Sequence, residues 1–381
     1  MPQQAKTDKT LFATTVLLVF FGLVMVYSAS SVMALQSPRY HSSTYFVARH
    51  AIYLAPALLL MMFLKWKHYS KLQNPAVAFV AVGVSIMLLV AVYFLDPDHH
   101  RWVRLGLLNI QPAELAKPAI VLFLAYFVAH RAPAINDKHT LWPAVMTVGL
   151  VILLVGIPDL GTAVVLAVTA GVVFFVAGLE WRYCAFLALV AVLAGGFAIV
   201  SKPYRLARVV HHFDPEYKLV DRIDPKGHLR LYLSKSLVSH DTNYQGYQSE
   251  LAVGAGGPLG VGLMQGKQKL LYLPEAHTDF IYAVVCEELG LFGSLGVFGA
   301  FCLILWRGIR ASARAESDFG KYLALSVTTL IVVQAFMNIT VVLAMVPTKG
   351  IPLPMISFGG NSLLASLALM GMLMNVSESH C

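Results

Sequence analysis

Residues 273–306, LPEAHTDFIYAVVCEELGLFGSLGVFGAFCLILW, join a cluster of polar side chains to a long apolar run. The cluster holds two carboxylates, an imidazole and a hydroxyl, from Glu275, Asp279, His277 and Thr278. The apolar run is long enough for an α-helix to cross a hydrocarbon core of about 30 Å. The stretch therefore predicts a membrane-spanning helix with an acid/base site at its beginning.

The composition of the whole chain indicates an integral membrane protein. Hydrophobic residues make up 58% of the 381 residues, charged residues only 13%, and the mean hydropathy is +0.69. A soluble chain would carry about a quarter charged residues. The apolar runs are continuous rather than alternating, which favours helices over a β-barrel. We predict an all-α polytopic membrane protein with about ten spans, at 11–34, 45–64, 75–95, 112–129, 141–158, 160–179, 183–200, 280–306, 322–346 and 356–376.

Lysines and arginines predict which side of the membrane each loop faces. The short segments 1–10, 65–74, 130–140, 180–182, 307–321 and 377–381 hold most of the cations outside the longest loop, so the positive-inside rule places them in the cytoplasm. Both termini, 1–10 and 377–381, are then cytoplasmic, and helices 1–7 occupy 11–200. Residues 201–279 form one large extracytoplasmic loop before helices 8–10 at 280–376. This topology also explains the net charge of +8, so no nucleic-acid partner is predicted.

Parts of the large loop have different compositions. Residues 211–243 are charged, which is typical of a segment at the surface. Residues 244–266, YQGYQSELAVGAGGPLGVGLMQG, are rich in glycine. Such a sequence favours either short helices in the membrane interface or a backbone that approaches a ligand closely.

Ionisable residues in or beside the spans are functional candidates, because a charge is costly to bury in a membrane. In the predicted topology they gather near the outer surface. They are Arg49, His50, Arg101, Arg104, Glu114, Lys117, Asp159, Glu275, His277, Asp279 and Lys349. A transport path would need polar groups across the full membrane depth, so this distribution favours chemistry at the outer surface.

Structural roles remain open for several of these residues. Arg49, Arg101 and Arg104 could be anchors whose side chains reach toward lipid headgroups. Glu114 and Lys117 lie three residues apart on one helical face, where they can form an ion pair. Asp279 could be the N-cap of the eighth helix, which is compatible with a reactive carboxylate.

Other polar residues have simpler interpretations. His277 could be a hydrogen-bonding loop residue, and no second His or Cys is spaced with it for zinc. Glu287 and Glu288 are interpreted as pairing or packing residues inside the eighth span. Pro158-Asp159 could be a tight outer turn or a break within one helix.

Motifs along nearly the whole chain resemble the SEDS family, the FtsW and RodA proteins. They are RWVRLG at 101–106, QPAELAKPA at 111–119, PDLGTA at 158–163, YRLAR at 204–208, QSELAVGAGG at 248–257, LPEAHTDFIYAVVCEELG at 273–290 and PTKGIPLPMISFGGNS at 347–362. Ala276 and the 347–354 stretch are more similar to FtsW than to RodA. The chain departs from the family pattern at 211–243, which is long, and at Phe358 and Asn361.

The resemblance implies a ten-helix peptidoglycan glycosyltransferase of the bacterial cytoplasmic (inner) membrane. It would polymerise lipid II on the outer face during cell division, together with a class B penicillin-binding protein and other divisome proteins. The family's essential acidic residue corresponds to Asp279, its Glu/Lys pair to Glu114 and Lys117, its second-helix arginine to Arg49 and its PDLG aspartate to Asp159.

The implied reaction assigns roles to the candidate residues. Asp279 would take the proton of an acceptor sugar 4-hydroxyl, with Glu275 and His277 as supporting groups. Undecaprenyl diphosphate would leave, so cations must meet its developing charge. Arg49, Arg101, Lys117 and Lys349 are predicted for this role. A divalent cation, Mg²⁺ or Mn²⁺, could help, although no protein metal site is predicted.

Four other functions remain as alternatives. A lipid II flippase would need a polar path through the bilayer. A scaffold that only recruits the transpeptidase would tolerate substitution of Asp279. An elongation polymerase of the RodA type, or a polymerase of another lipid-linked glycan, would share the outer-face chemistry.

Overall fold

Ten apolar helices dominate the structure, a computed structural model that describes residues 8–38, 40–96, 100–105, 108–214, 218–224, 227–228, 231, 233, 241–347 and 350–378. In these ranges nine helices are long and apolar enough to cross a membrane, and a tenth is apolar but has 17 residues. The ten are α1 Lys9–Gln36, α2 Tyr45–Trp66, α3 Pro75–Leu95, α4 Pro112–Arg131, α5 Lys138–Gly156, the 17-residue α6 Leu160–Val176, α7 Trp181–Val200, α11 Ile281–Arg314, α12 Asp318–Val342 and α13 Gly360–Glu378. The prediction of an all-α polytopic membrane protein with about ten spans is confirmed.

Shorter elements connect these helices. A two-stranded antiparallel hairpin, β1 Val103–Leu105 and β2 Leu108–Ile110, lies between α3 and α4. Single 3₁₀ turns at Tyr69–Leu72 and Ala132–Ala134 follow α2 and α4. The segment between α7 and α11 contains α8 Pro203–Phe213, α9 Lys218–Ile223 and α10 Asp241–Gly256. Much of the predicted surface segment 211–243 lies outside the described residues.

Side-chain caps and prolines mark where several of the membrane helices begin. Asn74 accepts a hydrogen bond from the Ala76 amide at 2.9 Å, and Pro75 begins α3. Both residue types are favoured at a helix start because they satisfy or remove a free amide. We call the end that holds the beginning of α11 the Asp279 end. The ends of α5 and α7 and the beginning of α6 also lie there.

The core is built around α4, α12 and α13. Most side chains of these three helices are buried, and α13 packs against α2, α12 and α4. In contrast, α7 has no buried side chain and contacts mainly α6 and α8. The central helices therefore fix the bundle, while α7 stands at its edge.

A break in α11 receives the glycine-rich loop. Gly290 has φ 63° and ψ −157°, a conformation that is essentially restricted to glycine. The opened helix pairs with residues 257–262: the Val261 amide donates to the Glu287 carbonyl at 3.0 Å, and the Leu291 amide donates to the Gly257 carbonyl at 2.9 Å. The close backbone approach expected for 244–266 is therefore made to a helix of the same chain.

Buried carboxylates of α11 hold the same loop. Glu288 pairs with Lys269 and accepts a hydrogen bond from Ser28 at 2.6 Å. Glu287 accepts from the backbone amide of Lys267 at 2.7 Å. Both glutamates therefore act as pairing residues, as the sequence suggested, and they bind the chain that leads into the polar cluster at 273–279.

Candidate active site

A cavity of about 900 Å³ opens at the Asp279 end. Its lining comes from the C-terminal ends of α5, α7 and α12, from the beginning of α6, and from α8 and α10. The loops before β1, before α11 and after α12 complete it. The ionisable side chains in this lining are His100, Arg101, Asp159, Lys202, Tyr204, Arg205, Arg208, Glu275 and Asp279. Carboxylates and cations thus share one space, large enough for a polar ligand.

Asp279 is held from two sides. The side-chain amide of Asn338 on α12 donates to the Asp279 carbonyl at 2.7 Å and to the Ile351 carbonyl at 2.7 Å. Gly350 lies against the carboxylate, because a Cβ added there would come within 2.6 Å of Asp279 Oδ2. The loop after α12 and the turn before α11 therefore fix the Asp279 backbone while its carboxylate faces the cavity.

The surroundings of Asp279 favour its protonated form. Part of the side chain faces the cavity, but crowding by protein atoms removes it from water and raises the pKa of the carboxyl to about 7. The negative charges of Glu275 and Asp159 raise this pKa further, and Arg101 opposes them. A carboxylate with such a pKa can accept and release a proton near neutral pH.

The predicted capping role of Asp279 is wrong. Helix α11 begins at Ile281, its N-cap is Phe280, and no side chain caps it. The helix therefore begins one residue later than it would with Asp279 as its N-cap. The Asp279 carboxylate is therefore not used on the helix amides.

Asp159 has the capping role at a neighbouring helix. Its Oδ1 accepts from the amides of Gly161 at 3.0 Å and Thr162 at 3.2 Å, and its Oδ2 accepts from the Thr162 hydroxyl at 2.8 Å. Because α5 ends at Gly156 and α6 begins at Leu160, Pro158-Asp159 is a tight turn between two helices. The turn places Asp159 in the cavity lining.

Only some of the predicted cations reach this cavity. Arg101 lines it and donates to the Pro158 carbonyl at 2.9 Å. Arg49, which donates to the Tyr45 hydroxyl at 3.1 Å, is not part of the described lining. Lys349 lies outside the described residues, although its neighbour Gly350 contributes to the cavity.

Glu114 and Lys117 form an ion pair inside the bundle. Lys117 Nζ lies 2.7 Å from Glu114 Oε1, and both residues are 2% exposed. Lys117 also donates to Gln334 Oε1 at 2.9 Å, and the Gln334 amide donates to the Pro352 carbonyl at 2.8 Å. Gln334 lies one turn before Asn338 on α12, so the pair connects to Asp279 through α12 and the following loop.

Glu275 and His277 face different surroundings. Glu275 lines the cavity and accepts from the Thr278 hydroxyl at 2.7 Å. His277 is buried against Phe46 and Phe358, with ring-centroid distances of 4.5 and 5.5 Å. Burial lowers the pKa of His277. Among the predicted site residues, the structure brings together Arg101, Asp159, Glu275 and Asp279, and it places His277 behind the cavity wall.

Sequence reasoning missed three cavity cations: Lys202, which precedes α8, and Arg205 and Arg208 of α8. Arg205 and Arg208 lie three residues apart and so share a helical face. That spacing was visible in YRLAR at 204–208, but the surrounding segment was interpreted only as loop.

The described part of the chain contains no group of three His, Cys, Asp or Glu residues placed to hold a metal ion. The three cavity carboxylates do not converge as a ligand set. The divalent cation stays a prediction.

The fold and the site together define a multi-pass helical membrane protein with a cavity of carboxylates and cations at one end of its bundle. Residues 8–380 match the family of FtsW, RodA and SpoVE, which is described as "Cell cycle protein". The chain belongs to this family. The resemblance found in the sequence motifs is thereby confirmed.

Named relatives match over nearly their whole length. A probable peptidoglycan glycosyltransferase FtsW of Geobacter sp. (strain M18) is 36% identical over 375 residues, covering 97% of this chain and 96% of the relative. Stage V sporulation protein E of Bacillus subtilis is 34% identical over 384 residues, with 99% and 98% covered.

Solved structures share the architecture. A chain from a peptidoglycan synthase complex superposes with a TM-score of 0.74 at 28% identity, with 97% of both chains covered. RodA of Thermus thermophilus superposes with a TM-score of 0.67 at 24% identity, with 98% of this chain and 97% of RodA covered, and supports the fold alone.

Proposed function

We propose that this protein is a peptidoglycan glycosyltransferase that polymerises lipid II into glycan strands. The observation that carries the proposal is the Asp279 carboxyl, whose pKa is about 7 in a cavity that also holds cations. The names of the similar FtsW proteins support the same activity.

The chemistry follows from the groups in the cavity. The 4-hydroxyl of an acceptor sugar is a poor nucleophile at neutral pH, so a base must take its proton as the new bond forms. Asp279 in its ionised form is that base. The acceptor oxygen attacks the anomeric carbon of the donor, and the electron pair of the breaking bond leaves on undecaprenyl diphosphate. A single displacement inverts the anomeric centre, as in inverting glycosidases.

Other residues position the reacting groups. Burial, and with it the negative charges of Glu275 and Asp159, raises the pKa of Asp279, which makes its ionised carboxylate a stronger base for the acceptor proton. Glu114 and Lys117 hold α4 against α12, and Asn338 on α12 holds the Asp279 backbone. They are positioning residues in this mechanism.

The Asp279 end faces the extracytoplasmic side in this proposal. Within the described residues, the cation-rich short segments between the membrane helices lie at the opposite end of the bundle, which agrees with the positive-inside rule for cytoplasmic loops. Grooves between the apolar helices would hold the polyprenyl chains, and the sugar would lie at the membrane surface beside Asp279.

The proposed partner is a class B penicillin-binding protein that cross-links the new strand, with other divisome proteins. A structural relative belongs to a peptidoglycan synthase complex whose description names polymerisation and cross-linking. The FtsW names of several relatives favour a role in cell division over elongation.

The purified chain, mixed with lipid II and its cognate penicillin-binding protein, should produce a ladder of glycan strands on a gel. The same protein in liposomes should build polymer only from lipid II exposed on the Asp279 side. Translocation of lipid II without polymer would instead identify a flippase.

A further inference from the structure

Helix α8 supplies two of the four lysine and arginine side chains in the described lining of the Asp279 cavity. Arg205 and Arg208 come from one face of this helix, and Arg101 joins them from the loop before β1. A cluster of like charges is unfavourable unless something of opposite charge balances it. The contacts of each arginine show which guanidinium is available to a ligand.

Two of the three arginines are occupied with backbone. Arg205 donates to the Ile157 carbonyl at 2.6 Å and to the Ala198 carbonyl at 3.2 Å. Arg101 donates to the Pro158 carbonyl at 2.9 Å. These bonds fix the ends of α5 and α7, and they occupy part of the Arg101 and Arg205 guanidinium groups.

Arg208 is placed differently. Its guanidinium carbon lies 5.5 Å from the centre of the Tyr204 ring, and its Nε is buried without a hydrogen-bond partner. Burial and the charges of Arg101 and Arg205 lower the pKa of Arg208. A buried N–H without an acceptor is unfavourable, so an anionic ligand that enters the cavity would stabilise this side chain.

We propose that Arg208, supported by the charges of Arg101 and Arg205, binds the diphosphate of the lipid-linked sugar donor. This subsite rests on the proposed polymerase function. A guanidinium is planar and presents parallel N–H groups, which match two phosphate oxygens. When the donor bond breaks, its electron pair passes to the diphosphate oxygen, and the Arg208 cluster stabilises that charge while Asp279 takes the acceptor proton.

Inorganic pyrophosphate is the probe for this subsite, and calorimetry of the purified full chain measures its affinity. Arg208→Gln should weaken pyrophosphate binding about tenfold or more, the loss expected for a charge-assisted hydrogen bond. The pyrophosphate affinity of Arg208→Lys should be intermediate, because an ammonium keeps the charge but lacks the planar, paired N–H groups of a guanidinium. With lipid II, Arg208→Gln should raise KM and lower kcat, since the diphosphate is held in the ground state and gains charge in the transition state.

The matched control is Arg222→Gln. Arg222 is an exposed arginine of α9 that is not part of the described cavity lining, so its variant should bind pyrophosphate as the unmodified protein does. Equal pyrophosphate affinity in Arg208→Gln, or in Arg208→Lys should the first variant fail to fold, would overturn the subsite. Equal weakening by Arg222→Gln would overturn it as well. Arg208-dependent pyrophosphate binding in a protein that makes no glycan would leave the subsite intact and contradict the polymerase function.

Discussion

The pKa of Asp279 is raised because its side chain is removed from water and lies near two other carboxylates. Its backbone is fixed by Asn338, while its carboxyl faces Glu275 and Asp159 in surroundings poor in water. The ionised form is disfavoured, and the pKa rises to about 7. An ordinary surface aspartate would be ionised at this pH but would be a much weaker base.

The pH dependence of the reaction should report this carboxyl. Because a base acts only when ionised, kcat/KM should rise with pH through a midpoint near the Asp279 pKa of about 7. Removing the neighbouring negative charge in Glu275→Gln should move that midpoint to lower pH. Steady-state rates of lipid II consumption between pH 5 and about 9 measure it. An unchanged midpoint in Glu275→Gln would show that another group controls the profile.

The stability of the fold should fall with rising pH where the reaction rate rises, because both depend on the Asp279 carboxyl. The folded protein binds the Asp279 proton more tightly than the unfolded chain, so this group's contribution to stability is greatest below the ordinary Asp pKa and is lost as pH rises through about 7. Asp279→Asn removes the ionised form and should therefore unfold at an equal or higher temperature above neutral pH. Thermal unfolding in detergent at acid and alkaline pH measures the difference. A large destabilisation by Asp279→Asn at alkaline pH would contradict the assigned surroundings.

Two structural features of the helices position the site. The break at Gly290 lets the 257–262 backbone pair with α11, and the Glu114–Lys117 pair joins α4 to α12. Both lie away from the cavity lining but determine where the 273–279 turn and Asn338 stand.

Gly290→Ala should destabilise the protein by about 1–3 kcal/mol, because a Cβ is strained at this φ and ψ and would meet the Gly260 backbone. The matched control is Gly296→Ala in the same helix, where an added Cβ meets no atom within 4 Å. Melting temperatures of the two variants provide the comparison. Equal melting temperatures would show that the break is not required.

Lys117→Met should cost about 3–5 kcal/mol of stability, because it leaves the Glu114 carboxylate buried without its cation. Polymerisation should fall with it. The double variant Glu114→Gln/Lys117→Met should recover most of the stability, since no unpaired charge remains. Recovery of stability without recovery of activity would indicate a direct role of Lys117 at the substrate, whereas full activity in Lys117→Met would contradict the positioning role.

At the scale of the whole molecule, the sequence predicted the spans well because bilayer thickness sets the length of an apolar helix. Arg101, Asp159, Glu275 and Asp279 were also predicted, since charge beside a span is rare. Other features depend on tertiary packing that a single sequence does not show. Three such features are the position of His277 away from the cavity lining, the arginine face of α8, and the start of α11 at Ile281 without a side-chain cap.

Topology has its own test. Asn109 is exposed in the hairpin at the Asp279 end, and Lys138 is exposed at the opposite end of the bundle. The two variants are Asn109→Cys and Lys138→Cys. In intact cells a membrane-impermeant maleimide should label the first variant and not the second. The reverse pattern would place the Asp279 cavity on the cytoplasmic side and contradict the proposed orientation.

Asp279→Asn removes the proposed base of the glycosyl transfer. The purified variant and the unmodified protein, each with the cognate penicillin-binding protein, are incubated with lipid II, and glycan strands are separated on a gel. Loss of the base should reduce the rate of strand formation by about a hundredfold or more while the variant stays folded. Strands formed at the unmodified rate by folded Asp279→Asn would contradict the account.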